Sequence, residues 1–177
     1  MPTIRPSNEN DMAEVTAIYA HHVRHGSGSF EIEPPSLQDM LARRAEVLGR
    51  GLPWLVIEDS VQVLGYAYCN WFRPRPAYRF AAESSIYLAP EVQGRGLGRA
   101  LLTELLTRAE RAGMRKMIAV IGDSANTSSI GLHLSCGFAH AGTLAATGWK
   151  FDRWLDTVLM EKNLGWGNSA PPISTEA

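Results

Sequence analysis

Three alternating glycines stand near the middle of the chain, where an apolar strand-like segment gives way to a helix-like one. The run is Gln93-Gly94-Arg95-Gly96-Leu97-Gly98, and Arg99 opens the helix-like segment. Because glycine has no side chain, the backbone N–H groups of such a turn can approach a bound anion closely. The N-terminus of the following helix adds a positive dipole at the same place. The run therefore predicts a pyrophosphate site, the alternative being a turn that only joins strand to helix.

The dinucleotide-binding fingerprint does not fit this run. That fingerprint requires G-x-G-x-x-G spacing early in the chain and an acidic residue about 20 residues later. Here the spacing is G-x-G-x-G, the run lies about halfway along the chain, and a lysine, Lys116, stands at the acidic position. A pyrophosphate other than that of a dinucleotide is expected.

A candidate general base precedes the glycine run. Glu83 lies at the start of the strand-like segment 82–88, among small and apolar residues. Such surroundings raise the pKa of a carboxylate toward the range that is useful for proton abstraction. The alternative is an exposed glutamate at a strand end. Glu31, beside Phe30, is a competing carboxylate.

A second motif follows the glycine run. Asn126 opens a helix-like segment, and His133 lies seven positions later. Two helical turns cover about 7.2 residues, so the two side chains share one face. For Asn126 a helix N-cap is a compatible alternative role. For His133 the alternative is a half-buried histidine that is hydrogen-bonded to the backbone.

The whole chain has the composition of an ordinary globular protein. It has 177 residues, of which 45% are hydrophobic and 20% charged, with a net charge of −1. The absence of a basic block argues against nucleic-acid binding. No apolar run approaches the roughly 20 residues that span a bilayer, and the N-terminus lacks a signal-peptide pattern. Cys69 and Cys136 have no metal-ligand spacing and are expected to be reduced, so we expect no metal and a cytoplasmic location.

Hydrophobic periodicity predicts the order β-α-α-β-β-β-α-β-α-β-β. The expected strands are residues 3–5, 54–57, 61–71, 82–88, 117–121, 138–144 and 154–160. The first expected helix carries Met12, Val15, Ile18 and Val23 on one stripe and gives way to a loop at residues 21–29. The second helix begins at Ser36, the third ends at Gly113, and the fourth covers residues 126–136. This order indicates a mixed α/β (α+β) domain over residues 1–164, with residues 165–177 as a disordered tail.

The two motifs together resemble the GNAT superfamily of acyl-CoA N-acyltransferases. The Q/R-x-x-G-x-G/A signature of that superfamily is met by Gln93, Gly96 and Gly98. Its N-x-x-(S/A)-x-x-x-(Y/H)-x-x-x-G-F segment is met by Asn126, Ser129, His133 and Gly137-Phe138. The resemblance implies the GNAT fold, a mixed and mostly antiparallel twisted sheet of about seven strands with about four helices.

Other segments narrow the resemblance to one subfamily. They are Ser29-Phe30-Glu31 with Pro34, Trp71 with Arg73-Pro74, residues 82–88, and residues 148–156. Over residues 3–164 the chain is similar to phosphinothricin and methionine sulfoximine (sulfone) N-acetyltransferases. The resemblance implies acetyl-CoA as cosubstrate, a small amino-acid-like amine as acceptor, direct attack in a ternary complex, and a homodimer. The alternatives are acetylation of a protein or peptide N-terminus, and a non-catalytic CoA-binding sensor.

The resemblance also assigns roles to residues. Glu83 is the expected proton acceptor, and His133 the expected donor to the leaving thiolate. The cofactor-binding residues expected are Ile86, Tyr87, Leu88, Gln93, Gly94, Arg95, Gly96, Leu97, Gly98, Arg99, Asn126 and Ser129. The substrate-binding residues expected are Phe30, Glu31, Arg73, Pro74, Arg75, Ser84 and Ser85. Guanidinium groups suit acidic substrates, although each of these arginines is alternatively a solvated surface charge.

Overall fold

Seven strands and four α-helices alternate along residues 2–172, the part of the chain that the computed structural model describes. The strands are β1 (Thr3–Pro6), β2 (Trp54–Glu58), β3 (Val63–Trp71), β4 (Ala81–Leu88), β5 (Lys116–Gly122), β6 (Ala139–Lys150) and β7 (Arg153–Asn163). The helices are α1 (Met12–His25), α2 (Leu37–Gly49), α3 (Leu97–Arg111) and α4 (Thr127–Ser135). The predicted order of elements is confirmed.

All seven strands belong to one sheet, in the order β1-β2-β3-β4-β5-β7-β6. Neighbouring strands are antiparallel except for β4 and β5, which are parallel and connected through α3. The predicted mixed, mostly antiparallel sheet is confirmed. Its single parallel pair lies at the centre, so the glycine run that follows β4 is placed at the middle of the sheet.

The helices are held to the sheet by apolar stripes, and α2 and α4 begin at side-chain caps. In α3, Leu101 and Leu105 are fully buried one turn apart. α2 begins with a capping box, in which the Ser36 hydroxyl accepts a hydrogen bond from the Asp39 N–H at 3.1 Å and the Asp39 carboxylate bonds back to Ser36. This is the start that Ser36 predicted.

Two predicted boundaries in the N-terminal half of the chain are wrong. α1 continues to His25 instead of giving way to a loop at residue 21, because Val23 still lies on the buried stripe and Gly26 is the first residue that caps the helix. β3 begins at Val63 instead of Val61. The Asp59 carboxylate accepts hydrogen bonds from the N–H groups of residues 61 and 62, which extends the turn.

The C-terminal hairpin is longer than predicted, with β6 and β7 running to 12 and 11 residues. Beyond it, residues 165–170 form turns, and Arg115 donates hydrogen bonds to the carbonyls of Gly167 and Ala170 at 3.1 and 3.0 Å. Residues 173–177 of the predicted tail lie outside the described residues.

Candidate active site

A cleft opens where two neighbouring strands separate. β4 and β5 are paired only between residues 81–84 and 116–119. β4 nevertheless continues to Leu88 and β5 to Gly122, so their carboxyl ends diverge. The gap is bordered by the glycine run and α3. Crevices at the carboxyl ends of parallel strands are the usual ligand sites of α/β sheets.

The hydrogen-bond phase of β4 decides which of its backbone groups face this gap. Ala89 N–H bonds to Leu64 O at 2.9 Å, in register with the β3–β4 ladder. Because bonded and non-bonded pairs alternate in an antiparallel ladder, the odd-numbered residues of β4 bond to β3. The N–H and C=O groups of Ile86 and Leu88 therefore point toward the gap, while their side chains pack against the core.

The glycine run forms a side-chain-free rim at the mouth of the gap. Gly94 and Gly96 have φ angles of +74° and +78°, and a Cβ built on either would meet no atom within 4 Å. Gly96 is the N-cap of α3, and its carbonyl accepts the first helical bond from Ala100 N–H at 3.2 Å. The N–H groups of residues 97–99 precede that bond and remain free for an anion.

The cleft has a volume of about 1210 Å³ and collects most of the predicted site residues. Its lining includes Phe30, Glu31, Glu83, Ser84, Ser85, Ile86, Tyr87, Leu88, Gln93, Gly94, Gly96, Gly98, Arg99, Asn126, Ser129 and His133. These residues come from β4, the glycine run and the start of α3, α4 with its N-cap, and the segment between α1 and α2. The structure thus brings together the two motifs that the sequence separates by about 30 residues, as expected for ends of strands meeting at one edge.

Five of the predicted residues do not line the cleft. They are Arg73, Pro74, Arg75, Arg95 and Leu97. Arg73 lies over the Phe72 ring at 4.8 Å on the exposed loop before β4. Arg95 is exposed at the rim, and Leu97 packs against the core.

Glu83 lies at the point where β4 and β5 begin to diverge. It is half-buried, and within residues 2–172 its carboxylate has no hydrogen bond or ion pair to another side chain. Burial raises the pKa of the Glu83 carboxyl above its ordinary value, and the charge of Arg73 partly opposes this rise. A carboxylate with a raised pKa and no fixed partner is suited to accept a proton from a ligand.

A smaller cavity of about 210 Å³ adjoins the cleft beside Glu83. Its lining is Arg43, Glu46, Val47, Tyr68, Asn70, Trp71, Glu83 and Ser85. Arg43, Tyr68, Glu83 and Ser85 line both cavities. Glu83 therefore borders both cavities.

Glu31, the competing carboxylate, already has partners. Arg43 donates to both of its oxygens, at 2.7 and 3.2 Å, and the Tyr19 hydroxyl donates to Oε1 at 2.9 Å. The pair is charge-neutral and holds Glu31 in the lining of the cleft that also contains Glu83. Sequence reasoning missed Tyr19 and Arg43, since each belongs to a helix whose local pattern shows only an amphipathic face.

Backbone groups hold the side chains of Asn126, the N-cap of α4, and His133, on α4. The Asn126 side chain accepts a hydrogen bond from Ser129 N–H at 3.2 Å, so it caps the helix while lining the cleft. His133 is 3% exposed, and its Nδ1 bonds to Ser129 O at 2.8 Å. Burial lowers the pKa of His133, which keeps the ring neutral near pH 7. This geometry favours the alternative role, a histidine bonded to the backbone.

A further cleft residue, His22, was assigned to a loop by the sequence analysis. It lies on α1, and its Nε2 donates to Leu88 O at 2.7 Å. Burial lowers the pKa of His22, so the neutral ring acts as the donor. This bond leaves Leu88 N–H as the polar group of that residue available in the gap.

Metal binding and membrane spanning each require a recognisable feature of the chain. Among residues 2–172 there is no group of three or more His, Cys, Asp or Glu side chains placed to hold a metal ion. Over the same residues, no helix combines the length and apolar character needed to cross a bilayer.

Comparison with known proteins supports the resemblance. The chain is 51% identical over 170 residues to the phosphinothricin N-acetyltransferase of Alcaligenes faecalis, covering 96% of this chain and 86% of that protein. It is 38% identical over 162 residues to the L-methionine sulfoximine/L-methionine sulfone acetyltransferase of Salmonella typhimurium, covering 92% and 94%. The predicted similarity to this subfamily is confirmed.

A solved structure gives the same result for the fold. The GNAT superfamily phosphinothricin acetyltransferase of Sinorhizobium meliloti, crystallised with AcCoA, superposes with a TM-score of 0.95 at 44% identity, covering 98% of this chain and 94% of that one. The model of the acetyltransferase (GNAT) family matches residues 15–138. The chain therefore belongs to the GNAT family of acetyltransferases.

Proposed function

We propose that this enzyme transfers the acetyl group of acetyl-CoA to the amino group of a small amino-acid-like acceptor of the phosphinothricin, methionine sulfoximine or methionine sulfone type. The observation that carries the proposal is the position of Glu83. This carboxylate, which has no side-chain partner within residues 2–172, lies where the β4–β5 gap begins and lines the same cleft as Glu31. The relatives named above act on amino-acid-like amines of this kind.

The cleft has the features that acetyl-CoA requires. The free N–H groups at the start of α3 and the open rim at Gly94 and Gly96 suit a diphosphate. The outward-facing N–H and C=O groups of Ile86 and Leu88 suit the amides of an extended pantetheine arm, which would pair as an added strand does. Acetyl-CoA supplies an acetyl group activated as a thioester.

Glu83 is assigned as the proton acceptor. An amine with a pKa between about 8 and 10.4 must lose a proton before it attacks, at a cost of roughly 1.4 to 4.6 kcal/mol at pH 7. Glu83 takes this first proton, directly or through water. In the step that follows, the bond between nitrogen and the carbonyl carbon forms, the carbon–sulfur bond breaks, and the nitrogen gives its second proton to water. The leaving thiolate is protonated by a group of the cleft or by water. Because Glu83 also lines the smaller cavity, its proton has a route away from the acceptor.

Leu88 N–H is assigned as the donor to the carbonyl oxygen. His22 occupies the carbonyl of the same residue, and β4 keeps the N–H directed into the gap. A donor that meets developing negative charge contributes about 2.7–4 kcal/mol in other acyl-transfer sites.

Transfer occurs in one step within a ternary complex. Burial raises the pKa of the Cys69 thiol to about 12, so this cysteine is not a thiolate nucleophile near neutral pH. The acceptor lies between Glu83 and the wall formed by Phe30 and Glu31. Arg73 acts on the Glu83 carboxyl through its charge from the loop before β4. Although it does not line the cleft, it is proposed to attract the acidic end of the acceptor, with Arg75 beside it on the same loop.

The test is thiol release from acetyl-CoA with phosphinothricin, methionine sulfone, methionine sulfoximine and a peptide amine as acceptors. We expect the three amino-acid analogues to be acetylated and the peptide to be left unmodified. Glu83→Gln should bind acetyl-CoA normally, lose roughly 10²- to 10⁴-fold in kcat, and recover part of the loss at high pH. Glu161→Gln, on the outer part of the sheet, serves as the control.

Three outcomes would contradict the proposal. Full activity of Glu83→Gln at neutral pH would remove Glu83 from the mechanism. Acetylation of the peptide in preference to the three analogues would instead assign the enzyme to peptide N-termini, while acetyl-CoA binding without any transfer would indicate a sensor.

A homodimer and a cytoplasmic location complete the proposal. β6 is an edge strand whose residues are largely exposed. Trp149 on this strand, and Phe151 and Trp154 just after it, are 54%, 48% and 62% exposed. A long edge strand next to aromatic side chains favours pairing with a second copy. Both cysteines are free, as expected in a reducing compartment.

A further inference from the structure

Lys150 is a buried lysine for which the proposed reaction has no use. It ends β6, is 5% exposed, and within residues 2–172 has no carboxylate at salt-bridge distance. Its ammonium donates instead to two backbone carbonyls, Gly26 O at 3.0 Å and Ser29 O at 2.7 Å. A buried ammonium normally has an ionised partner. Because the Lys150 ammonium bonds instead to two carbonyls of one loop, that loop is where its role is to be found.

The loop that it holds is the wall of the acceptor end of the cleft. Residues 26–31 follow α1 and include Phe30 and Glu31, which face the cleft. The Tyr19 hydroxyl lies 2.8 Å from Ser29 Oγ, and that oxygen accepts a hydrogen bond from Glu31 N–H at 3.2 Å. The loop is therefore tied to α1 through Tyr19 and to α2 through the Arg43–Glu31 pair. Lys150 adds the tie to the sheet, through the carbonyls of Gly26 and Ser29.

The same loop rests on two glycines of the sheet. A Cβ built on Gly148 would lie 2.4 Å from the Phe30 ring, and one on Gly122 would lie 2.8 Å from that ring and 2.1 Å from Ser27 O. These glycines let the loop approach the sheet to a distance that any other residue would prevent. Gly148 and Lys150 are two residues apart on β6, so one strand provides both the contact surface and the hydrogen bonds.

We propose that Lys150 is a positioning residue, which clasps residues 26–31 against the sheet so that Phe30 and Glu31 form the wall of the acceptor pocket. This role rests on the proposed function, and Lys150 touches neither substrate. Loss of the clasp frees the loop and weakens the acceptor's binding, whereas the Gly94–Gly98 rim and the Ile86 and Leu88 backbone stay in place. The defect belongs to the acceptor and not to acetyl-CoA.

Two variants test the clasp against a matched control. Lys150→Met removes the ammonium and its donors while keeping the length of the side chain, and Lys150→Gln keeps one N–H donor group without the charge. Lys116→Met is the control, because Lys116 lies on β5 and makes a partly exposed ion pair with Glu161 at 3.0 Å. Each purified variant is assayed for acceptor KM, acetyl-CoA Kd, thermal unfolding and amide hydrogen exchange.

Lys150→Met is expected to raise the acceptor KM roughly tenfold to hundredfold, with an acetyl-CoA Kd that changes less than about twofold. Amide exchange should accelerate in residues 26–31 and stay unchanged in α3. Lys150→Gln is expected to lie between Lys150→Met and the wild type, and Lys116→Met to match the wild type.

Several results would overturn the proposal. They are unchanged exchange in residues 26–31, equal losses of acetyl-CoA and acceptor affinity, or failure of both Lys150 variants to fold, which would assign Lys150 to the stability of the whole domain. The exchange measurement does not require turnover. If the wild type acetylates none of the amines, the proposed function fails while the clasp is still tested.

Discussion

The substitution Gly96→Ala distinguishes two reasons for glycine in the rim at residues 94–98. One is the positive φ of the backbone, and the other is the binding of the diphosphate. Gly96 has φ +78°, and an added Cβ would meet no protein atom within 4 Å. In the left-handed region the substitution costs about 1–2 kcal/mol of backbone energy. For a domain of this size, 1 kcal/mol lowers Tm by roughly 2–4 °C, so Gly96→Ala should lower Tm by roughly 2–8 °C.

Gly51 offers a matched control for this substitution. It has φ +70°, equally open space around the Cβ position, and a place in the turn between α2 and β2 that does not line the cleft. Gly51→Ala should therefore lower Tm by a similar amount. Any difference between the two variants in ligand affinity then reports the rim itself.

The expected difference is in acetyl-CoA binding. A Cβ on Gly96 projects into the space where the diphosphate is expected, and the loss of one charge-assisted hydrogen bond is worth about 1.5–3 kcal/mol. Titration calorimetry should show acetyl-CoA Kd rising roughly tenfold to hundredfold in Gly96→Ala and unchanged in Gly51→Ala. Equal affinities of both variants, at equal loss of Tm, would refute the assignment of this rim to the diphosphate.

Two other predictions concern charge and assembly. Removing the positive charge in Arg73→Gln should raise the pKa of Glu83. Because the base must be ionised, the acid limb of the pH profile of kcat/KM should then move to higher pH. An acid limb that does not move would mean that Arg73 does not influence the base. Trp154→Glu places a charge in the exposed aromatic group beside β6 and should shift the sedimenting species from twice the 19.4 kDa chain mass to the monomer. A wild-type protein that already sediments as a monomer would contradict the proposed dimer.

The parts of the site that were predicted from sequence are those encoded by short-range pattern. The positive-φ requirement at Gly94 and Gly96 restricts those positions to glycine, and the spacing of Asn126 and Ser129 encodes a helix cap. Glu83 could be found because it lies on the strand that directly precedes the glycine run. Each of these signals is contained in about ten consecutive residues, as local backbone geometry requires.

The residues that were missed depend on contacts between distant segments. Arg43 reaches Glu31 across the start of α2, and Lys150 reaches a loop 121 residues earlier in the chain. Neither side chain differs in local pattern from a solvated surface cation. The end of α1 was misjudged for a related reason, since three histidines among residues 21–25 suggest a polar loop although Val23 still contributes to the core.

The separation of β4 and β5 leaves the sheet joined at its centre by only four residue pairs. An extended ligand bound there would contact both halves of the sheet, strands β1–β4 and strands β5–β7, and would hold them together. Ligand that binds the native state alone raises its stability by RT ln(1 + [L]/Kd), about 2.7 kcal/mol at a hundredfold excess over Kd. The lifetime of the folded protein in a cell would then depend on the concentration of its acyl donor. When that donor is scarce, the junction between β4 and β5 would be the first part of the sheet to open.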